Sequence, residues 1–95
     1  MKTESLTAYR ADIDRIDQKI VALFAQRFDI ASNVAAFKRR EGLAVRLQDR
    51  IDEVLDRVGT LAKENGAEPE AIRAIYRTVI ETTCQYEEAK IAKAG

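Results

Sequence analysis

The sequence has no histidine, no tryptophan, one cysteine, one proline and only four glycines, and each shortage closes off some chemistry. Without histidine, and with Cys84 as the single thiol, no zinc site of ordinary ligand composition can be assembled and no nucleophile has an imidazole to activate it. A lone cysteine also excludes an internal disulfide framework and suits a reducing compartment. Gly42, Gly59, Gly66 and Gly95 are isolated from one another, so there is no glycine-rich loop to cradle a phosphate. Neither sign of charge is in excess, since sixteen basic residues balance sixteen acidic ones. That removes any general pull toward nucleic acid or an anionic membrane surface, and an anion site has to be built by local clustering. We read no apolar run of membrane-spanning length, and the start MKTESLTAYR lacks the apolar core of a signal peptide, so the expected location is the cytoplasm. Any catalysis must rest on Arg, Lys, Asp, Glu and hydroxyls.

What is present is the material of helices. Hydrophobic residues make up 46% and charged residues 34% of 95 positions, which fits one helix-rich domain over 1–95 and not a disordered chain. Leu6, Tyr9, Ile13, Ile16, Ile20, Leu23, Ile30, Val34 and Phe37 recur at alternating three- and four-residue spacing, with Arg27 filling the slot between Leu23 and Ile30. This predicts a helix over roughly 5–41, stopped at Gly42. Leu47, Ile51, Val54, Val58 and Leu61 keep the same spacing and predict a second helix over 46–64, ended by Asn65 and Gly66. A third, over 69–92, opens at Pro69 and carries the stripe Ile72, Ile75, Tyr76, Val79, Ile80, Thr83 and Tyr86. The fold class is therefore all-α, three helices with the first very long. A helix of roughly 35 residues spans about 50 Å, whereas a compact chain of this size has a radius of gyration of about 12 Å. An apolar seam of that length marks an interface, and we expect a dimer in which the long helices of two chains pack together.

Arg27 and Lys38 are close to three helical turns apart, so they share a face about 16 Å apart along the axis. Long side chains at those positions can converge on one anion. Arg10 lies about 25 Å before Arg27 on the same helix, too far for one small molecule to reach both, but an antiparallel partner helix would bring the other chain's Arg10 into range. The alternative is a seam arginine whose stem packs and whose head pairs with an acid on another helix. Lys38, Arg39 and Arg40 also suit a helix C-terminus for electrostatic reasons alone. On the third helix Thr83 and Glu87 are four apart and interrupt the apolar stripe, placed to pair with Arg27 or to line a site. Cys84 reads as a small core residue and not a nucleophile, and Tyr76 and Tyr86 as packing residues with a wet hydroxyl.

Taken together, LTAYRADIDRIDQKIVALFAQRFDIASNVAAFK, VRLQDRIDEVLDRV and IYRTVIETTCQYEEA resemble the three helices of the all-helical chorismate mutase family, with Arg10, Arg27 and Lys38 at the family's spacing. The resemblance implies an intertwined homodimer with two equivalent sites, each completed by the partner's Arg10. It implies that Arg10 and Arg27 hold the carboxylates of a chorismate-like substrate, that Lys38 donates to the enolpyruvyl carboxylate and ether oxygen, and that Arg50 matches an arginine after the loop. Thr83 and Glu87 match the variant in which Glu replaces the Gln that hydrogen-bonds the ether oxygen. The family's rearrangement of chorismate to prephenate needs no nucleophile, metal or cofactor, in keeping with the inventory above. It is accelerated by holding the compact conformer and by cations where negative charge develops.

Two positions depart from the family. Ile51 stands where a Glu usually binds the ring hydroxyl, and Leu47 where Asp or Asn is usual; both also fit the apolar seam of the second helix. Relatives with an aliphatic residue at the first of these include isochorismate-pyruvate lyases and mutases of 4-amino-4-deoxychorismate. Because a carboxylate has no hydrogen to donate to an ether oxygen, Glu87 would act protonated, activity would rise as pH falls, and Glu87→Gln would flatten the profile. The non-enzymatic alternative is a helical dimerisation or regulatory module in which Arg27 sets register. Charge balance and the lack of aromatic-basic interleaving argue against nucleic acid.

Overall fold

The computed structural model describes residues 4–94, and all of the regular structure it describes is helical: α1 over Leu6–Glu41, α2 over Gln48–Glu64 and α3 over Pro69–Ala94. α1 opens on Ser5, whose hydroxyl oxygen accepts from the Ala8 amide at 3.0 Å, the ordinary cap for the unpaired amides of a first turn. It closes at Gly42, which takes φ +68° and lets the Leu43 amide donate back to the Lys38 carbonyl at 2.8 Å. α2 closes in the same way. Gly66 has φ +75°, the Ala67 amide donates to the Ala62 carbonyl at 2.8 Å, and the Asn65 side chain donates to the Leu61 carbonyl at 2.8 Å. Pro69 then occupies the first turn of α3, where no amide hydrogen is missed.

The chain divides into two units, one ending at Ile30 and the other beginning at Ala31. In the first, the seam residues Leu6, Tyr9, Ile13, Ile16, Ile20, Leu23 and Ile30 are 42% to 63% exposed. α1 also contains an 18-residue window of mean hydropathy 1.3, long and apolar enough by those measures to cross a membrane. The match is one of average composition: Gln26, Arg27, Asp29, Ser32 and Asn33 interrupt the apolar residues and alanines of this helix, so it holds no unbroken apolar run, as expected from sequence.

In the second unit α2 packs on α3. Val54, Val58 and Ala62 of α2, Cys84 and Glu87 of α3, and Ala31 and Ala35 at the end of α1 are buried. Gly59 is buried because the guanidinium of Arg73 crosses it: a Cβ there would collide with that side chain, and Arg73 Nε donates to the Leu55 carbonyl at 3.2 Å. α2 begins two residues later than the spacing predicts, at Gln48, with Leu47 at its N-cap and no side-chain hydrogen bond to the first amides. Leu47 is 42% exposed, so the expectation that it packs in the α2 seam does not hold within this chain.

Candidate functional site

Lys38 sits in the last turn of α1 and Glu87 in the second half of α3. Lys38 Nζ donates to Glu87 Oε1 at 2.9 Å and to the Val45 carbonyl at 2.7 Å, and the two side chains are 13% and 8% exposed. A carboxylate this deeply buried requires such a partner, since an isolated buried charge is very costly. An ammonium group carries three N–H donors. Two acceptors meet it among the described residues, so its third N–H is available to a further oxygen at a site where burial strengthens the interaction.

One turn before Glu87, Thr83 is half-buried and its hydroxyl donates to the Val79 carbonyl at 2.7 Å. That bond orients the side chain along its own helix. Cys84 is buried and free. Burial pushes its thiol up, and the charges of Arg46, Glu87, Lys38 and Glu81 act on it in smaller and opposing measure. It is a core residue with little thiolate character.

The loop before α2 supplies a second set of charges. Arg46 Nη1 and Nη2 donate to the two oxygens of Glu81 at 2.6 and 2.9 Å, while Nε and Nη2 donate to those of Glu88 at 3.0 and 3.1 Å. The hydrogen bonds from Arg46 hold the Glu81 carboxyl below the usual glutamate range. Arg46 and Glu81 also line a cleft of about 250 Å³ with Ile51, Leu55, Arg77 and Ile80.

Of the residues singled out from sequence, the second unit brings Lys38 and Glu87 into direct contact. Glu87 therefore has Lys38 as a cation within this unit, whereas the sequence leaves Thr83 and Glu87 either to pair with Arg27 or to line a site. Ile51 is half-buried and faces the cleft, whereas Arg50 is exposed and pairs with Glu53 of its own helix. Arg10 and Arg27 belong to the first unit, Arg10 exposed and Arg27 half-buried. Sequence reasoning misses the Val45 carbonyl and the Arg46 pairing. The only signal for the latter is that Glu81 and Glu88 are seven apart, two helical turns on one face of α3.

Comparison with known proteins places these features in a family. The family model of type II chorismate mutases matches residues 9–88. The chain is 30% identical over 93 residues to a 4-amino-4-deoxychorismate mutase of Streptomyces pristinaespiralis, covering 98% of this chain and 72% of that protein. It is 33% identical over 78 residues to a chorismate mutase of Methanocaldococcus jannaschii, covering 82% of this chain and 79% of that one. A bifunctional chorismate mutase/prephenate dehydratase of Aquifex aeolicus is 34% identical over 94 residues, which is 96% of this chain and 26% of that protein.

Proposed function

Because the chain belongs to the chorismate mutase type II family, we propose that it is an isomerase converting chorismate to prephenate by a cofactor-free pericyclic rearrangement. The observation that carries this reading is the buried Lys38–Glu87 pair, in which two acceptors meet an ammonium group that has three N–H donors. In the reaction the ether C–O bond breaks as a C–C bond forms, and negative charge develops on the ether oxygen. Lys38 donates its remaining N–H to that region, and Glu87, when protonated, donates a second hydrogen bond. Both interactions strengthen as the charge grows, which is the condition for lowering a barrier instead of merely binding substrate. Arg27, the partner's Arg10 and Arg50 hold the carboxylates in the compact conformer, and Thr83 lines the site.

The functional unit in this proposal is a homodimer whose long helices intertwine, each chain forming one domain. The row of exposed apolar residues from Leu6 to Ile30 supports it, since a stripe of that extent is stable in water only when covered. As part of the same proposal the enzyme serves aromatic amino-acid biosynthesis in the cytoplasm, a compartment that suits the free thiol of Cys84.

A second reading concerns the substrate. Ile51 offers no acceptor for a ring hydroxyl and stands among Leu55 and Ile80 in the cleft, and the Streptomyces pristinaespiralis relative acts on 4-amino-4-deoxychorismate. We therefore treat that amino-substituted compound as the competing substrate. Incubating purified protein separately with chorismate, 4-amino-4-deoxychorismate and isochorismate, and identifying products by NMR and mass spectrometry, decides between them. Prephenate from chorismate supports the main reading; turnover of the amino compound alone supports the second. Pyruvate and salicylate from isochorismate would replace both with a lyase, and no turnover of any would favour a non-catalytic dimer.

A further inference from the structure

Lys38 can act as described only if its ammonium is held in one orientation, and half of that hold comes from a loop. Residues 42–47 join α1 to α2. After the Leu43 amide bonds back to Lys38, the loop makes no further backbone–backbone hydrogen bond among the described residues until the Leu47 carbonyl accepts from Arg50 and Ile51. Between these points the Val45 carbonyl meets Lys38 Nζ, and the next residue, Arg46, grips two carboxylates of α3 with all three of its guanidinium nitrogens. The two contacts are on adjacent residues, so the grip on α3 fixes where the Val45 carbonyl points. α3 is also the helix that carries Glu87, the other acceptor of Lys38.

We propose that Arg46 is a positioning residue: by clamping the loop to Glu81 and Glu88 it holds the Val45 carbonyl against Lys38 and so aims the remaining N–H of that ammonium. This rests on the mutase reading for its effect on rate, though its structural part does not. Arg46, Glu81 and Glu88 have side chains 41% to 50% exposed, and exposed pairs add little to global stability. A planar fork meeting two carboxylates is nevertheless directional, which a point charge is not. The clamp therefore has more influence on geometry than on folding.

Arg46→Ala, Arg46→Lys, the Glu81→Gln/Glu88→Gln double variant and the triple variant with Arg46→Ala should all melt close to wild type. Each should lose at least about tenfold in kcat, since an ångström of misplacement can cost about a hundredfold, with KM changed much less. The clamp acts as one unit, so the triple variant should lose no more than Arg46→Ala alone, and lysine should not rescue. If Arg46 instead binds substrate, the loss falls on KM, Arg46→Lys restores part of it, and the glutamine double variant stays active; that pattern overturns the proposal, as does a kcat within twofold of wild type in Arg46→Ala. The second measurement needs no turnover. The ammonium resonance of Lys38 in ¹⁵N-lysine-labelled protein, assigned by its loss in Lys38→Ala, should be visible in wild type and broadened away in Arg46→Ala. An unchanged resonance overturns the proposal even if the wild type proves inactive on every substrate tried, whereas an inactive wild type with a broadened variant resonance removes only the mutase reading.

Discussion

The Lys38 ammonium lies 2.9 Å from the Glu87 carboxylate, a buried contact that, with the Arg39 hydrogen bond to the Ala94 carbonyl, ties the end of α1 to α3 while leaving a donor for a ligand. A pair buried to this degree makes opposite demands on stability and function, which mutations can separate. Removing one partner leaves the other charged and unpaired, at a cost of about 3–5 kcal/mol, whereas replacing both with apolar groups of similar volume is close to neutral. Lys38→Met should therefore lower the urea midpoint sharply, and Lys38→Met with Glu87→Leu should recover most of the loss. Both should be inactive, and recovery of activity in the double variant would remove Lys38 from the mechanism.

Glu87 can donate to an ether oxygen only when it carries a proton. Glu87→Gln, which always has N–H donors at this position, should therefore be more active than wild type at neutral pH. The kcat of both proteins at neutral pH checks this; a Glu87→Gln variant slower than wild type contradicts it.

The clamp on α3 gives a pH dependence of stability with a definite sign. Arg46 lowers the Glu81 carboxyl from its ordinary value, so the stabilisation is present above that value and is lost as pH falls through the lowered one. Arg46→Ala should be slightly less stable than wild type at neutral pH, with the gap closing below about pH 4, the ordinary glutamate range. Denaturant titrations of both proteins at a series of pH values give the comparison, and high salt should narrow the gap at neutral pH because these groups are exposed.

Leu47 leaves the first amides of α2 without a side-chain cap. Leu47→Asp should raise stability by about 1 kcal/mol through an N-cap hydrogen bond, visible as a rise in Tm of about 4–8 °C for a chain of this size. An unchanged or lowered Tm would mean that the leucine is covered in the assembled protein.

The helices themselves are legible in the amino-acid sequence. Three- and four-residue spacing, Gly42, the Asn65–Gly66 stop and Pro69 are local signals, since they depend on sterics and hydrogen bonds within a few residues of each other. The same logic puts Thr83 and Glu87 on one face of α3 and marks Lys38 as a candidate. It fails where the decision is not local. Arg46 and Leu47 lie outside α2, and in this loop Val45 gives its carbonyl to Lys38 and Arg46 its guanidinium to α3, contacts between residues 7 and 35 apart in sequence. The sequence leaves Thr83 and Glu87 either to pair with Arg27 or to line a site, and only the tertiary structure shows that Lys38 meets Glu87. Sixteen acids and sixteen cations allow many pairings of equal local merit, and only the packing of one helix on another selects which pair is brought together and removed from water.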